Sequence, residues 1–334
     1  MYGGTRGKRQ ARTAAGNGLF QKHTLDGMGR VVASYTCYDT DETAYADADD
    51  VTGDTVVEQS ETWYDQAAQA VATATYQRLP DDTSTTGALS AANSYATAAV
   101  AWYDGLGRTV ATADYGREDV DSGLTHYFFN GSTGAVIDSD SDGIPDEAED
   151  APPEPYPQDP YSEAGIDFQL QLTEYNSAGR AYRTIDNLGR INQTAYDDAG
   201  RVVKTIQNYD DGTAGEADTD CDVTVDYEYG SGGQLVTMAA YNAKGSGNGV
   251  QEQATKYLYQ SEINASWQTA AVYPDSEDEL EQDPNTGTWT FTDDNGDHVS
   301  TEYDRLGRTT ATTDQRGVVR EFTGGNKGVG SLCC

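Results

Sequence analysis

Five carboxylates and a glycine fall at the spacing of a hard-cation loop in the stretch DSDSDGIPDEAE, Asp138 to Glu149. Counting Asp138 as position 1, acids stand at positions 1, 3, 5, 9 and 12 as Asp138, Asp140, Asp142, Asp146 and Glu149. Gly143 occupies position 6, where such a loop turns sharply, and Ile144 offers its main-chain carbonyl at position 7. Calcium takes about six to eight oxygens, and acids crowded into one short turn repel each other without a cation. The order of residue types therefore predicts one Ca2+ site, with binding ordering the loop.

The flanks exclude the paired helices of an EF-hand. Asn130 to Val136 contains Gly and Ser, and Ala151 to Pro160 is rich in proline, which cannot sustain a helix interior. In this respect the loop resembles the calcium-binding units of thrombospondin type 3 repeats. Two weaker echoes read as polar turns. Asp218, Asp220 and Asp222 are followed by Val223 where the glycine belongs, and Asp293, Asn295 and Asp297 are followed by His298.

Other chemistry is thinly supported. The three histidines, His23, His126 and His298, share no local context, and no nucleophile elbow, HExxH, phosphate loop or dinucleotide fingerprint occurs. With 56 acids in the chain, a glycosidase-like pair would carry no information. The expectation is a protein that is not an enzyme. Two alternatives stay open: a carbohydrate-binding or adhesion module stacking sugars on Trp63, Trp102, Trp267 and Trp289, and a hydrolase with an unrecognised site.

The elements that would carry any such site are turns and strands. One turn sequence recurs six times: DGMGR at Asp26 to Arg30, YDGLGR at Tyr103 to Arg108, YNSAGR at Tyr175 to Arg180, DNLGR at Asp186 to Arg190, YDDAGR at Tyr196 to Arg201 and YDRLGR at Tyr303 to Arg308. Asp or Asn starts a tight turn by bonding to backbone two residues on. The glycine three residues later supplies the positive φ that closes a type I turn with a bulge. Short runs rich in Val, Thr, Ala and Ile follow, such as Thr109 to Thr112 and Val202 to Ile206, and these suit pleated strands. The tyrosine before each turn is expected to lie on the sheet, and the arginine after it either bridges neighbouring repeats or stands in solvent.

The similarity extends beyond the turn. WYDQAAQAVATATY (Trp63 to Tyr76) aligns with WYDGLGRTVATADY (Trp102 to Tyr115) at an offset of 39 with 8 of 14 positions identical, so a degenerate copy has lost its Gly and Arg. Tyr303 to Asp314 matches Tyr103 to Asp114 at 9 of 12 positions. Such self-similarity marks stacked units.

YDGLGRTVATAD, YDDAGRVVKTI and YDRLGRTTATTD resemble the YD repeats of the RHS family. The resemblance implies long spiralling β-sheets that build a hollow shell, often around a C-terminal toxin, in proteins acting at bacterial or animal cell surfaces. It implies an extracellular or cell-surface location and, as partners, the remaining repeats of a larger shell. The chain departs from the family in being much shorter than its shells and in lacking the paired Asp-Pro-x-Gly elements that close them. It therefore reads as a piece of such a shell, and the isolated piece is expected to be marginally stable or to self-associate through open edges.

Composition sets further bounds. Leu, Ile, Val and Phe number only 48 of 334 and the net charge is −35, which favours disorder, whereas 23 Tyr and 4 Trp in register with the repeats favour order. Order within repeats and disorder between them is the resulting expectation. The acidic field repels phosphates and anionic membranes, excluding a nucleic-acid role. No stretch approaches the roughly 20 apolar residues of a transmembrane helix, and the basic start lacks the apolar core of a signal peptide. An export signal would lie upstream if the chain is an internal piece. Cys37, Cys221, Cys333 and Cys334 show neither metal spacing nor a disulfide framework.

The fold class expected is all-β: antiparallel β-hairpin repeats forming an open, twisted, spiralling sheet. Its parts are a disordered arm at 1–22, repeat block 1 at 23–118, an acidic insertion with the calcium-like loop and a Pro-rich linker at 119–165, repeat block 2 at 166–322, and a disordered tail at 323–334.

Overall fold

A computed structural model describes residues 13–14, 19–38, 51–83, 85–117, 128–130, 135–141, 144–152, 168–212, 221–243 and 250–322. The expected tail at 323–334, most of the N-terminal arm and the proline cluster from Pro153 onward lie outside these residues. The chain divides into two compact units. One comprises residues 1–174 and 184–189, the other residues 175–183 and 190–334.

The first unit is an antiparallel ladder in chain order: β1 (Thr13–Ala14), β2 (Leu19–Leu25), β3 (Val31–Tyr38), β4 (Thr55–Tyr64), β5 (Ala70–Arg78), β6 (Ser94–Tyr103), β7 (Thr109–Arg117) and β8 (Gln169–Tyr175). Its first long strand starts at Leu19, upstream of the expected boundary at His23, because Phe20 and Lys22 point into the core and are buried. Burial alternates with period two along β5 to β7. Ala72, Ala74 and Tyr76, then Ala96, Ala98, Val100 and Trp102, then Ala111, Ala113 and Tyr115 face inward.

So many inward alanines leave a shallow sheet face, and large rings from the cover fill it. Phe128 and Phe129, each 1% exposed, stack edge-on against Trp63 at 5.6 Å and Tyr76 at 5.7 Å, and Phe168 lies 5.4 Å from Tyr115. Each buried aromatic removes about 150–250 Å² from water, which offsets the scarcity of aliphatic side chains. The expected polar interruption at 119–165 thus contributes core residues. Phe129 bridges Val136, Ile137 donates its N–H to the Phe128 carbonyl, and a single turn of helix, α1 (Asp146–Glu149), follows.

β9 (Ala181–Asp186) spans the change of unit. In the second unit β10 (Ile191–Tyr196), β11 (Val202–Gln207), β12 (Val223–Tyr229), β13 (Leu235–Ala243), β14 (Val250–Leu258) and β15 (Ala270–Val272) pair antiparallel in order. β15 then pairs with β18 (Val299–Tyr303), followed by β19 (Thr309–Thr313) and β20 (Val319–Glu321). Between them β16 (Glu279–Gln282) and β17 (Trp289–Asp293) form a separate ribbon whose Leu280, Trp289 and Phe291 cover Leu258, Ala270 and Val272. In neither unit does a pairing join the first strand to the last among the described residues, so the ladders are open. No helix among them is long and apolar enough to cross a membrane.

Candidate functional site: a clasp between successive turns

Five of the six copies of the repeated motif share one hairpin geometry, and at the sixth Gly189 N–H donates to the Asp186 carbonyl. Gly107 N–H donates to the Asp104 carbonyl and Asp104 N–H to the Arg108 carbonyl, both at 2.9 Å, which is a type I turn closed by a glycine bulge. The same pair of bonds recurs at Asp26, Asn176, Asp197 and Asp304, and the glycines of the six motifs have φ between 76° and 87°. Strands leave the turn in one register: Leu25 opposes Val31, Tyr103 opposes Thr109, Tyr196 opposes Val202 and Tyr303 opposes Thr309, each with a bulge just before.

The aspartate does three jobs in that turn. Asp104 Oδ1 accepts the N–H groups of Leu106 at 2.9 Å and Arg108 at 3.0 Å, and Oδ2 accepts Arg108 Nε at 2.7 Å. Asp197 and Asp304 hold Arg201 and Arg308 in the same way. The side-chain bond from Arg108 keeps the Asp104 carboxyl below the usual carboxylate range. The backbone bond from Arg201 leads for Asp197, and the side-chain bond from Arg308 leads for Asp304. Pinning Nε fixes the plane of the guanidinium, so the arginine is aimed rather than free.

Its target is the next turn. Arg30 lies 4.2 Å from the ring centroid of Tyr64, and Arg201 lies 4.4 Å from that of Tyr229. The same tyrosines donate their hydroxyls to the carbonyl just after the preceding turn: Tyr64 to Val31, Tyr103 to Ala70, Tyr196 to Ala181, Tyr229 to Val202, Tyr259 to Leu235 and Tyr303 to Gln268, at 2.6–3.3 Å. Each hydroxyl bond is worth about 1 kcal/mol and each stacked cation about 0.5–1 kcal/mol. Both expectations for the arginine are met: Arg30 and Arg201 bridge neighbouring repeats, whereas Arg190 and Arg308 are exposed.

Departures from the motif keep the clasp with other atoms. In the degenerate copy Gln69 donates through Nε2 to the Gly107 carbonyl at 3.1 Å, and Ala68 takes the left-handed glycine position at φ 67°. Trp267 replaces arginine before the last YD turn, lying 5.3 Å from Tyr303 and against Gly307. Asn176 keeps both Oδ1 bonds at 3.0 Å but has no second carboxylate oxygen, and Arg180 stands 5.6 Å from the Tyr196 centroid.

Sequence reading missed two turns of the same geometry. One runs through Gly230, Gly233 and Gln234 after Tyr229, and the other through Asp314, Gly317 and Val318. A search for glycine three residues after the turn's first residue, without requiring Asp or Arg, would have found both.

The acidic loop is placed in part. Asp142 and Gly143 lie outside the described residues. Asp138, Ile144 and Asp146 are half-buried, and Asp140 and Glu149 are exposed. Asp146 accepts both the N–H of Ser139 at 2.7 Å and its hydroxyl at 2.6 Å, and the hydroxyl bond leads in holding its carboxyl below the ordinary range. Glu147 accepts the Tyr115 hydroxyl at 2.8 Å and the Asp150 carbonyl accepts Trp102 Nε1 at 2.8 Å, so the sheet anchors the end of the loop. Asp218 and Asp220 of the first weaker echo lie outside the described residues, while Asp222 and the second echo take part in turns. Asp222 accepts the N–H groups of Asp210, Asp211 and Gly212, and Asn295 N–H donates to Asp278.

Asp278, Asp294 and His298 are the one group of possible metal ligands found together among the described residues. His298 Nδ1 is 2.9 Å from Asp278 Oδ2, which also accepts the Ser276 hydroxyl, while Oδ1 accepts the Asn295 N–H. These contacts read as a clamp closing the β17–β18 connection. None of the four tryptophans is exposed. Trp63 lies on Phe128, Trp102 is buried, Trp267 lies on Tyr303, and Trp289 donates to Thr237 beneath Lys256.

Open antiparallel ladders, one turn geometry and a clasp from turn to turn define an all-β hairpin-repeat protein. No protein-family profile and no curated protein matches the chain. Among solved structures it is similar to part of TcdB2-TccC3-TEV, with 11% identity and a TM-score of 0.42 over 86% of this chain and 12% of that one. It is also similar to parts of TcdB2-TccC3-Cdc42 (10% identity, TM-score 0.24, 92% and 18% of the two chains) and of TcdB2-TccC3 (11%, 0.22, 94% and 18%). The chain thus spans under a fifth of the length of these proteins.

Proposed function

We propose that this chain is a non-catalytic wall segment of a larger RHS/YD-repeat shell, displayed at a cell surface or secreted. The observation that supports it is the clasp: side chains that elsewhere serve ligands, the repeated Tyr, Asp and Arg, are spent on joining one hairpin to the next. Remaining repeats of the same kind are the natural partner. Val318, Val319 and Phe322, at 60%, 56% and 45% exposure, lie at or beside β20, the last strand among the described residues, and offer apolar surface to another hairpin. Light scattering on the purified chain should show self-association that Val319→Lys weakens. A monodisperse, cooperatively melting monomer would overturn the reading.

In this proposal the acidic loop binds one calcium through Asp138, Asp140, Asp142, the Ile144 carbonyl and Glu149. Asp146 would act through water, as position 9 often does, which suits its direct bonds to Ser139. Calorimetry on the full chain should show calcium-dependent heat that Asp140→Asn with Asp142→Asn removes. Unchanged heat in that variant, or none at millimolar calcium, would end the calcium reading and leave the shell reading standing.

A further inference from the structure

Lys22 and Asp54 are buried together in the first unit with side-chain exposures of 1% and 3%, and Nζ lies 2.7 Å from Oδ2. Two charges withdrawn from water cost several kcal/mol each after relaxation, so a buried ion pair is poor value for stability alone. Apolar side chains stand beside the pair. The Phe20 ring centroid is 5.3 Å from Nζ, and Cys37, Val51, Val56 and Leu89 belong to the same core.

Both partners are held at the backbone. Lys22 sits inside β2, opposite Tyr35 of β3. Asp54 donates its N–H to the Val51 carbonyl at 3.1 Å and accepts the Gly87 N–H at 2.9 Å, immediately before β4 begins. Amine and carboxyl are therefore held in hydrogen-bond contact and almost out of solvent, the kind of fixed placement from which an intramolecular step gains most. Passing one proton from the amine to the carboxyl would remove both buried charges at once.

We propose that Lys22 and Asp54 join in an isopeptide bond. One proton passes from the Lys22 ammonium to Asp54 Oδ2, giving a neutral amine and a carboxylic acid. The nitrogen lone pair attacks Cγ, forming the N–C bond. The Cγ–Oδ2 bond then breaks, and the oxygen leaves as water with a second proton from nitrogen. The amide that remains carries no charge, and no oxidant, reductant or co-reactant enters. The product staples β2 to the turn before β4 across 32 positions of sequence. It replaces two buried charges with one neutral group that keeps an N–H donor and a carbonyl acceptor.

The test is the intact mass of the purified, denatured full chain. The expected mass is one water below that of the sequence, with a branched proteolytic peptide linking Lys22 to Asp54. Lys22→Arg and Asp54→Ala should each restore the full sequence mass. Succinimide formation at an Asp-Gly step also loses water, and it would persist in both variants without the branched peptide. A wild-type chain at full sequence mass, while circular dichroism shows its strands formed, overturns the proposal, as does a water loss that survives Lys22→Arg. The wild-type mass and peptide decide the matter even where a variant fails to fold.

Discussion

Tyr229 donates its hydroxyl to the Val202 carbonyl at 2.8 Å while Arg201, one residue before Val202, lays its guanidinium 4.4 Å from the centroid of the same ring. The tyrosine opening one turn is thus held twice by the end of the turn before it. The arrangement needs no particular number of residues between turns: the two tyrosine-to-carbonyl contacts at Tyr196 and Tyr303 span 15 and 35 residues. Stretches of different length can therefore sit between hairpins while the same contact is kept.

Removing one hydroxyl should isolate one rung. Tyr229→Phe keeps the ring under Arg201 and deprives the Val202 carbonyl of its donor, at an expected cost of about 1 kcal/mol. Tyr229→Leu also removes the cation contact, adding roughly 0.5–1 kcal/mol. Urea unfolding of the two variants checks the order, and equal losses would deny the arginine a role.

Glycine substitutions should separate backbone strain from the neighbour's contact. A Cβ at Gly200, where φ is +87°, would run into the Arg180 guanidinium, whereas one at Gly29, φ +85°, meets nothing within 4 Å. Gly29→Ala should cost about 1–2 kcal/mol from the left-handed conformation alone, and Gly200→Ala more. Ala68→Gly, at φ 67°, should instead stabilise the first unit by about 1 kcal/mol. Thermal melts that rank the three otherwise would refute the geometry.

The turn aspartates fix the sign of one pH effect. Their folded pKa values are lowered, so the unfolded chain takes up protons first. The stability they contribute is fully present above the unfolded carboxylate value of about 3.9 and is lost as pH falls through the lower folded value. Relief of the −35 net charge opposes this on acidification, so the comparison must be differential. The advantage of wild type over Asp304→Asn should be constant at neutral pH and shrink below about pH 4. An advantage that grows on acidification would contradict the assignment.

A missing carboxylate offers a gain. Asn176→Asp supplies the second oxygen that Asp197 gives Arg201, and it should draw the Arg180 guanidinium from 5.6 Å to nearer the 4.4 Å seen at Tyr229. An exposed pair of this kind adds about 0.2–1 kcal/mol. A crystal structure of the variant with Arg180 unmoved would show that something other than the missing oxygen sets its position.

The local chain was legible because its information is local. An Asp or Asn followed at the third position by Gly fixes a turn whatever lies around it, and short Val/Thr/Ala runs between such turns leave few choices but antiparallel strands. Fold class, turn type and the degenerate copy at Asp65 to Gln69 therefore followed from residues in order. What the tyrosine hydroxyls reach, and what Phe128 and Phe129 cover, could not follow. Those contacts join residues 15 to 65 positions apart, through loops that carry no pattern of their own. Ala72, Ala96 and Ala111 look like weak core residues until the folded chain lays aromatic rings over them, and Lys22 and Asp54 look like solvent charges until two strands and a turn enclose both. Periodicity determined the hairpins, and only the packing of one hairpin on the next decided which side chains meet.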